Sequence, residues 1–166
     1  NCVALICPDS KLASRRDGWS VPPLDQVDRA QGEQLVLLKN RAGGSYAYSV
    51  GYYEDGHFGE DKHFRAVKNL GRSHFALLAD GWSRQKQGAV STSHSGRGMN
   101  ILYEDGHCCF VKNPSGVGDD PLCNGRGETK AGINQDDSVV LMSGMQPCSE
   151  PAIDDRPTPP IQFISR

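Results

Sequence analysis

Apolar residues in this chain come in short bursts of strand length, separated by stretches rich in Gly, Pro, Asp and Ser. From Ser45 to Tyr53, Tyr46, Tyr48, Val50 and Tyr52 alternate with mostly small residues, the period-two pattern of a half-buried strand. Two further runs, Met99 to Glu104 and His107 to Lys112, flank Asp105-Gly106. Asp-Gly between apolar runs signals a β-hairpin, because a type I′ turn needs positive φ at both central positions. Gln34-Leu35-Val36-Leu37-Leu38-Lys39 is a compact apolar run with Arg41-Ala42-Gly43-Gly44 as the turn after it, and His74 to Ala79 is closed by Asp80-Gly81. The pattern therefore predicts strands near 34–39, 45–53, 74–79, 99–104 and 107–112. A short strand within 1–10 ends at Pro8, and 139–142 is a last apolar run. The expected class is α+β, mostly antiparallel sheet with little helix.

The intervening segments read as connections. Residues 11–33 carry Asp17-Gly18 and Pro22-Pro23, residues 57–72 suit a loop or one short helix, and 82–92 are polar and loop-like. Glu54-Asp55-Gly56-His57 repeats the tetrapeptide at 104–107, as the same turn chemistry used twice. From Gln146 onward Pro147, Pro151, Pro157, Pro159 and Pro160 exclude regular helix and favour an extended tail. The expected organisation is a β-rich head over 1–146 and a tail over 147–166. Ile161, Phe163 and Ile164 would dock that tail on its own molecule or on a neighbour.

Composition narrows the picture. A chain of 166 residues suits one domain, and 37% hydrophobic content with 19 Gly and 10 Pro fits a loop-heavy β fold. With 18 basic and 20 acidic residues the net charge is −2, so nothing points to a nucleic-acid partner. No apolar run reaches the ~18 residues of a membrane helix. The six cysteines, Cys2, Cys7, Cys108, Cys109, Cys123 and Cys148, form an even set that favours disulfides in an exported domain. At least two bridges are expected, one involving Cys108 or Cys109, which point to opposite faces of a strand. Reduced buried thiols are the alternative reading. Zinc-finger spacing is absent, since no C-x2-C pair occurs.

Candidate chemistry is sparse. His94, Asp105 and His107 could converge at one hairpin end with Asp80 nearby, a donor set adequate for a divalent cation. The plainer reading gives His94 a turn hydrogen bond, Asp105 an Asx turn and His107 a surface strand position, because Asp is favoured in turns for its local bond alone. Asp119, Asp120, Asn124, Asp136 and Asp137 supply oxygens in a Gly-rich segment, as calcium requires, although a solvated acidic loop fits the weak spacing better. No G-x-S-x-G occurs and no cysteine has an arguable low-pKa setting, so an enzyme is not expected.

One stretch carries a resemblance. His94, a Gly-rich spacer, Asn100 followed by aliphatic and aromatic residues, then Asp105-Gly106-His107 and an apolar strand resemble the prepilin-type processing-associated H-x9-DG signature. That signature marks pilin-like proteins numerous in planctomycete-type bacteria. Leu5-Ile6-Cys7-Pro8-Asp9-Ser10 resembles the family's apolar-Cys-Pro-Ser-Asp segment with Asp and Ser exchanged. Gly44 to Gly51 resembles its Ser-Tyr-x-Tyr strand, and Ala76 to Gly81 its apolar strand ending in Asp. Ten residues, Ser95 to Glu104, separate His94 from Asp105 where the family has nine, which puts the extra residue in the Gly96-Arg97-Gly98 turn.

The resemblance implies a pilin-like globular head of an exported, extracytoplasmic structural subunit related to pseudopilins of type II secretion. It would self-assemble with other proteins into a filament. It would reach a membrane only through an apolar N-terminal helix that this chain does not contain. Because major pseudopilins hold calcium in a C-terminal loop, the resemblance also favours calcium at the acidic segment. A soluble accessory domain docking on a larger extracytoplasmic complex is the alternative. Metal-dependent hydrolysis by the His94, Asp105 and His107 group stands third.

Overall fold

A computed structural model describes residues 5–10, 13, 20–54, 63–85, 88–112 and 120–145. Its centre is a five-stranded antiparallel sheet built from β1 (Tyr46–Ser49), β4 (Ala76–Asp80), β7 (Met99–Tyr103), β8 (Cys108–Val111) and β9 (Val140–Met142), in the order β8-β7-β4-β1-β9. Two small hairpins flank it, β2 (Tyr52–Tyr53) with β3 (Phe64–Arg65) and β5 (Trp82–Gln85) with β6 (Gly88–Ser91). Two helices, α1 (Leu24–Arg29) and α2 (Gly32–Ala42), precede the sheet. The class is α+β with sheet predominant, and among the described residues no helix is long and apolar enough to cross a membrane.

The two faces of the sheet have different chemistry because side chains alternate along each strand. Ala47, Ala76, Ala79, Met99 and Ile101 belong to a buried core that also holds Trp82, Leu122, Val139, Val140 and Leu141. A bulge between Ala76 and Leu78 turns the rest of β4, since Ala76 pairs with Tyr103 but Leu78 pairs with Leu102. The inserted residue changes the phase of the alternation. Leu78 and Asp80 therefore join Tyr46, Tyr48, Asn100, Leu102 and Cys108 around a cavity on the second face. The register carries one row straight across that face, Tyr48 opposite Leu78, Leu78 opposite Leu102 and Leu102 opposite Cys108.

Several sequence expectations are corrected. The 34–39 run lies inside helix α2. Leu38 is buried and Leu35 half-buried, three positions apart on one side, while Val36 and Leu37 are exposed. That is helical spacing, and Glu33 in the first turn with Lys39 and Arg41 in the last suit the helix dipole. The 45–53 strand is two strands. Gly51, at φ +89, breaks it where a Cβ would meet the Arg65 carbonyl oxygen at 2.3 Å. The polar 82–92 segment is the β5–β6 hairpin, anchored by buried Trp82. Described residues 5–10 form turns in place of a strand, and α1 interrupts the 11–33 connection. Residues 113–119, the first Asp-Gly copy at 55–57 and the tail from 146 lie outside the described residues.

The disulfide expectation also fails. Cys7, Cys108 and Cys109 form no disulfide, which leaves too few cysteines for two bridges, and Cys2 and Cys148 lie outside the described residues. Three of the described sulfurs face polar side chains. Cys7 faces His94, Cys109 the Tyr103 hydroxyl and Cys123 the Thr129 hydroxyl. Cysteine pairing consequently lends no support here to an oxidising compartment.

A buried ion pair ties the hairpin turn to two loops. Glu104 Oε1 accepts from Arg72 Nη2 at 2.6 Å, and Oε2 accepts from Arg72 Nε at 2.8 Å and from the backbone N–H groups of Leu70 and Arg72. Arg72 also donates to Asp136 Oδ1 and to the Gln135 carbonyl, and lies over the Phe75 ring at 3.8 Å. The bidentate guanidinium first, and the two N–H donors with it, hold the Glu104 carboxyl at about 2 against an ordinary 4.5. A depressed carboxylate stabilises the fold above its unfolded value and loses that contribution as pH falls through its folded value. Thermal midpoints should therefore drop steeply between about pH 4.5 and pH 2. Glu104→Gln should flatten that limb, and an unchanged acid limb in this variant would sink the assignment.

Candidate functional site

Where β4 ends, its last residue enters a polar cluster. Asp80 is 2% exposed. Its Oδ2 accepts the backbone N–H of Asn100 at 2.7 Å and the Asn100 amide at 2.9 Å. Antiparallel register makes this meeting inevitable, because Ala79 opposite Ile101 places Asp80 beside Asn100. The same Oδ2 lies 2.9 Å from His94 Nε2, and the Asn100 amide reaches that nitrogen at 3.0 Å.

His94 is delivered by an unusual backbone. It opens a 3₁₀ turn, His94–Gly96, in which His94 (φ 50) and Ser95 (φ 55) are both left-handed. Left-handed non-glycine residues are uncommon and cost of order 1 kcal/mol or more each; they gather at functional sites. Across the cluster runs the 5–10 segment. It is fixed where the Cys7 N–H donates to Ser45 Oγ at 2.6 Å and the Ser45 N–H donates to the Leu5 carbonyl at 3.1 Å. This brings Cys7 Sγ to 3.7 Å from His94 Nε2, and Asp9 Oδ2 to 2.8 Å from His94 Nδ1. Burial pushes the Cys7 thiol up, which makes it a poor nucleophile on its own.

The cavity beside the cluster measures about 460 Å³ and is mainly apolar, with Leu5, Pro8, Leu78 and Leu102 in its walls. Tyr46 and Tyr48 add two phenols whose pKa values burial raises, and Tyr48 donates to the Gly43 carbonyl. The Phe110 ring stands edge-on to His94 at 5.7 Å.

The residues singled out by sequence separate into two groups. His94, Asn100 and Asp80 come together at the open end of the β7–β8 hairpin. Asp105, Gly106 and His107 lie at its closed end, one strand length or roughly 15 Å away at ~3.3 Å per residue. There Asp105 Oδ1 accepts the His107 backbone N–H and contacts Nδ1 at 2.6 Å, while His107 stacks on Tyr103 with centroids 4.5 Å apart. The His107 N–H first, then its ring, lower the Asp105 pKa. This is the Asx turn of the plainer reading, and the three-residue group proposed for hydrolysis does not assemble.

The calcium-type loop does not form an oxygen cage among its described members. Asp136 pairs with Arg72, Asp137 Oδ2 accepts the N–H groups of Gly125 and Ile133, and Asp120 Oδ1 accepts that of Leu122. Asn124 Oδ1 accepts from Arg126 and Glu128, and Asp119 lies outside the described residues. Oxygens that point at N–H donors in separate turns are not arranged around a cation.

Cys7 and Asp9 are the site residues that chain-order reasoning did not connect to His94. They lie 87 and 85 positions from it, and no local spacing signals such a contact. No protein-family model, curated protein or solved structure matches this chain.

Proposed function

We propose that this chain is the globular head of an exported, pilin-like structural subunit without enzymatic activity, held in an extracytoplasmic assembly by protein–protein contacts. One observation supports the reading. The four separate segments that carry the resemblance meet around one cluster: Cys7 and Asp9 from the first, Tyr46 and Tyr48 from the second, Asp80 from the third, and His94 with Asn100 from the fourth. Residues recognisable as a set in sequence thus act as a set in space. Their role is to lock a loop onto the end of the sheet.

In this reading assembly uses the 114–137 loop and the Pro-rich tail, whose Ile161, Phe163 and Ile164 could add to a neighbour's sheet edge. The test is electron microscopy and surface fractionation of cells producing the protein from its complete gene, with and without residues 157–166. Ordered polymers that weaken on tail deletion are expected. A soluble, unpolymerised product would overturn the filament reading and favour the accessory domain. The apolar cavity is the feature that would then serve as its binding site.

A further inference from the structure

We propose that Cys7, Asp80 and His94 form a zinc-type metal site, tying the 5–10 segment to the end of β4. Among the described residues this is the group of His, Cys, Asp and Glu side chains whose donor atoms all lie within 4.8 Å of one another. The donor chemistry is that of zinc, which takes thiolate, imidazole and carboxylate together. The hard-cation reading, with oxygen donors only, does not suit a set containing sulfur.

Distances agree with a shared ion. Ligands at ~2.0–2.3 Å in tetrahedral geometry stand about 3.3–3.6 Å apart. Nε2 and Sγ are 3.7 Å apart and Nε2 and Oδ2 are 2.9 Å apart, each within a few tenths of an ångström of that spacing, and all three donors lie within 4.8 Å of one another. The surroundings are those of a ligand set as well. Asp9 Oδ2 lies 2.8 Å from Nδ1 as an outer contact, and the ring turns its other nitrogen, Nε2, toward Asp80 and Cys7. The Asn100 N–H and amide orient the Asp80 carboxylate as a second outer contact. Left-handed His94 is the strained residue that aims the ring. Three protein ligands leave a fourth position, on the side of the apolar cavity.

The reduced, chelator-stripped full chain is titrated with Co²⁺ as the optical probe and then with Zn²⁺ in competition. One equivalent of Co²⁺ should bring a thiolate-to-cobalt charge-transfer band and the visible bands of a four-coordinate ion, both removed by Zn²⁺. Cys7→Ser should abolish the charge-transfer band, whereas Cys108→Ser, on the same cavity wall, should keep it. Asp9→Asn retains every proposed ligand and should weaken binding about 10–100-fold, the usual effect of an outer-shell partner. Absence of a stoichiometric band in the unaltered chain would overturn the proposal, as would a band that survives Cys7→Ser. The unaltered chain alone can refute it, so a variant that misfolds does not protect it.

Discussion

Glu104→Ala is expected to destabilise the protein by about 3–5 kcal/mol, the range found when one partner of a buried ion pair is removed. The Glu104 side chain is wholly buried and that of Arg72 is 12% exposed. Truncation would strip the guanidinium of its bidentate acceptor and leave the Leu70 and Arg72 N–H groups without theirs. Asp136 cannot compensate, because it is 61% exposed and reaches only one nitrogen. A domain of this size has ~5–15 kcal/mol of stability, so the variant should fold marginally. Urea titration read by near-ultraviolet circular dichroism gives the number. The double variant Arg72→Met, Glu104→Gln should lose less than the two single losses added, since it removes both charges together. A single-variant loss below about 1 kcal/mol would mean that solvent already screens the pair.

The second large effect is expected at Trp82. Its indole is 2% exposed within the core, and Nε1–H donates to the Val140 carbonyl at 3.1 Å. Aromatic-to-alanine changes in cores cost about 3–5 kcal/mol through lost transfer energy and the cavity left behind. Trp82→Phe keeps most of the volume and removes the hydrogen bond, so about 1–2 kcal/mol should remain as its share. In denaturant titrations the midpoint should move while the slope stays constant. Equal losses in the two variants would assign the whole effect to the hydrogen bond and refute the cavity argument.

How far the sequence reached can be judged residue by residue. The β7–β8 hairpin was legible because Asp105-Gly106 encodes its turn locally, and β4 because its apolar run stops at Asp80-Gly81. Helix α2 was not, since Leu35 to Leu38 is continuous and hides its period, although Leu35 and Leu38 alone face inward. The β5–β6 hairpin is polar and is held by strand pairing next to a single tryptophan, so hydrophobicity carries no trace of it. At the site, His94 and Asp80 were nearby candidates from the start. Asp105 and His107 were grouped with them only because a hairpin brings its strands together while keeping its two ends apart. Cys7 and Asp9 depend on a loop folding over the sheet, a long-range event that no spacing rule encodes.

The strand order has a kinetic consequence. β1 sits between β4 and β9, and its Ser49 pairs with Val140, a closure of roughly ninety residues. The β7–β8 hairpin closes over about ten. Because closure entropy grows with the logarithm of loop length, the long closure costs about 2 kcal/mol more before any contact rewards it. The hairpin and its docking on β4 are therefore expected to form early and β9 to pair late. A chain in which β9 has not yet paired would present a four-stranded sheet with one flank of β1 unfilled. In that interval any extended segment, from this chain or another, competes for the place that Val140, Leu141 and Met142 finally take.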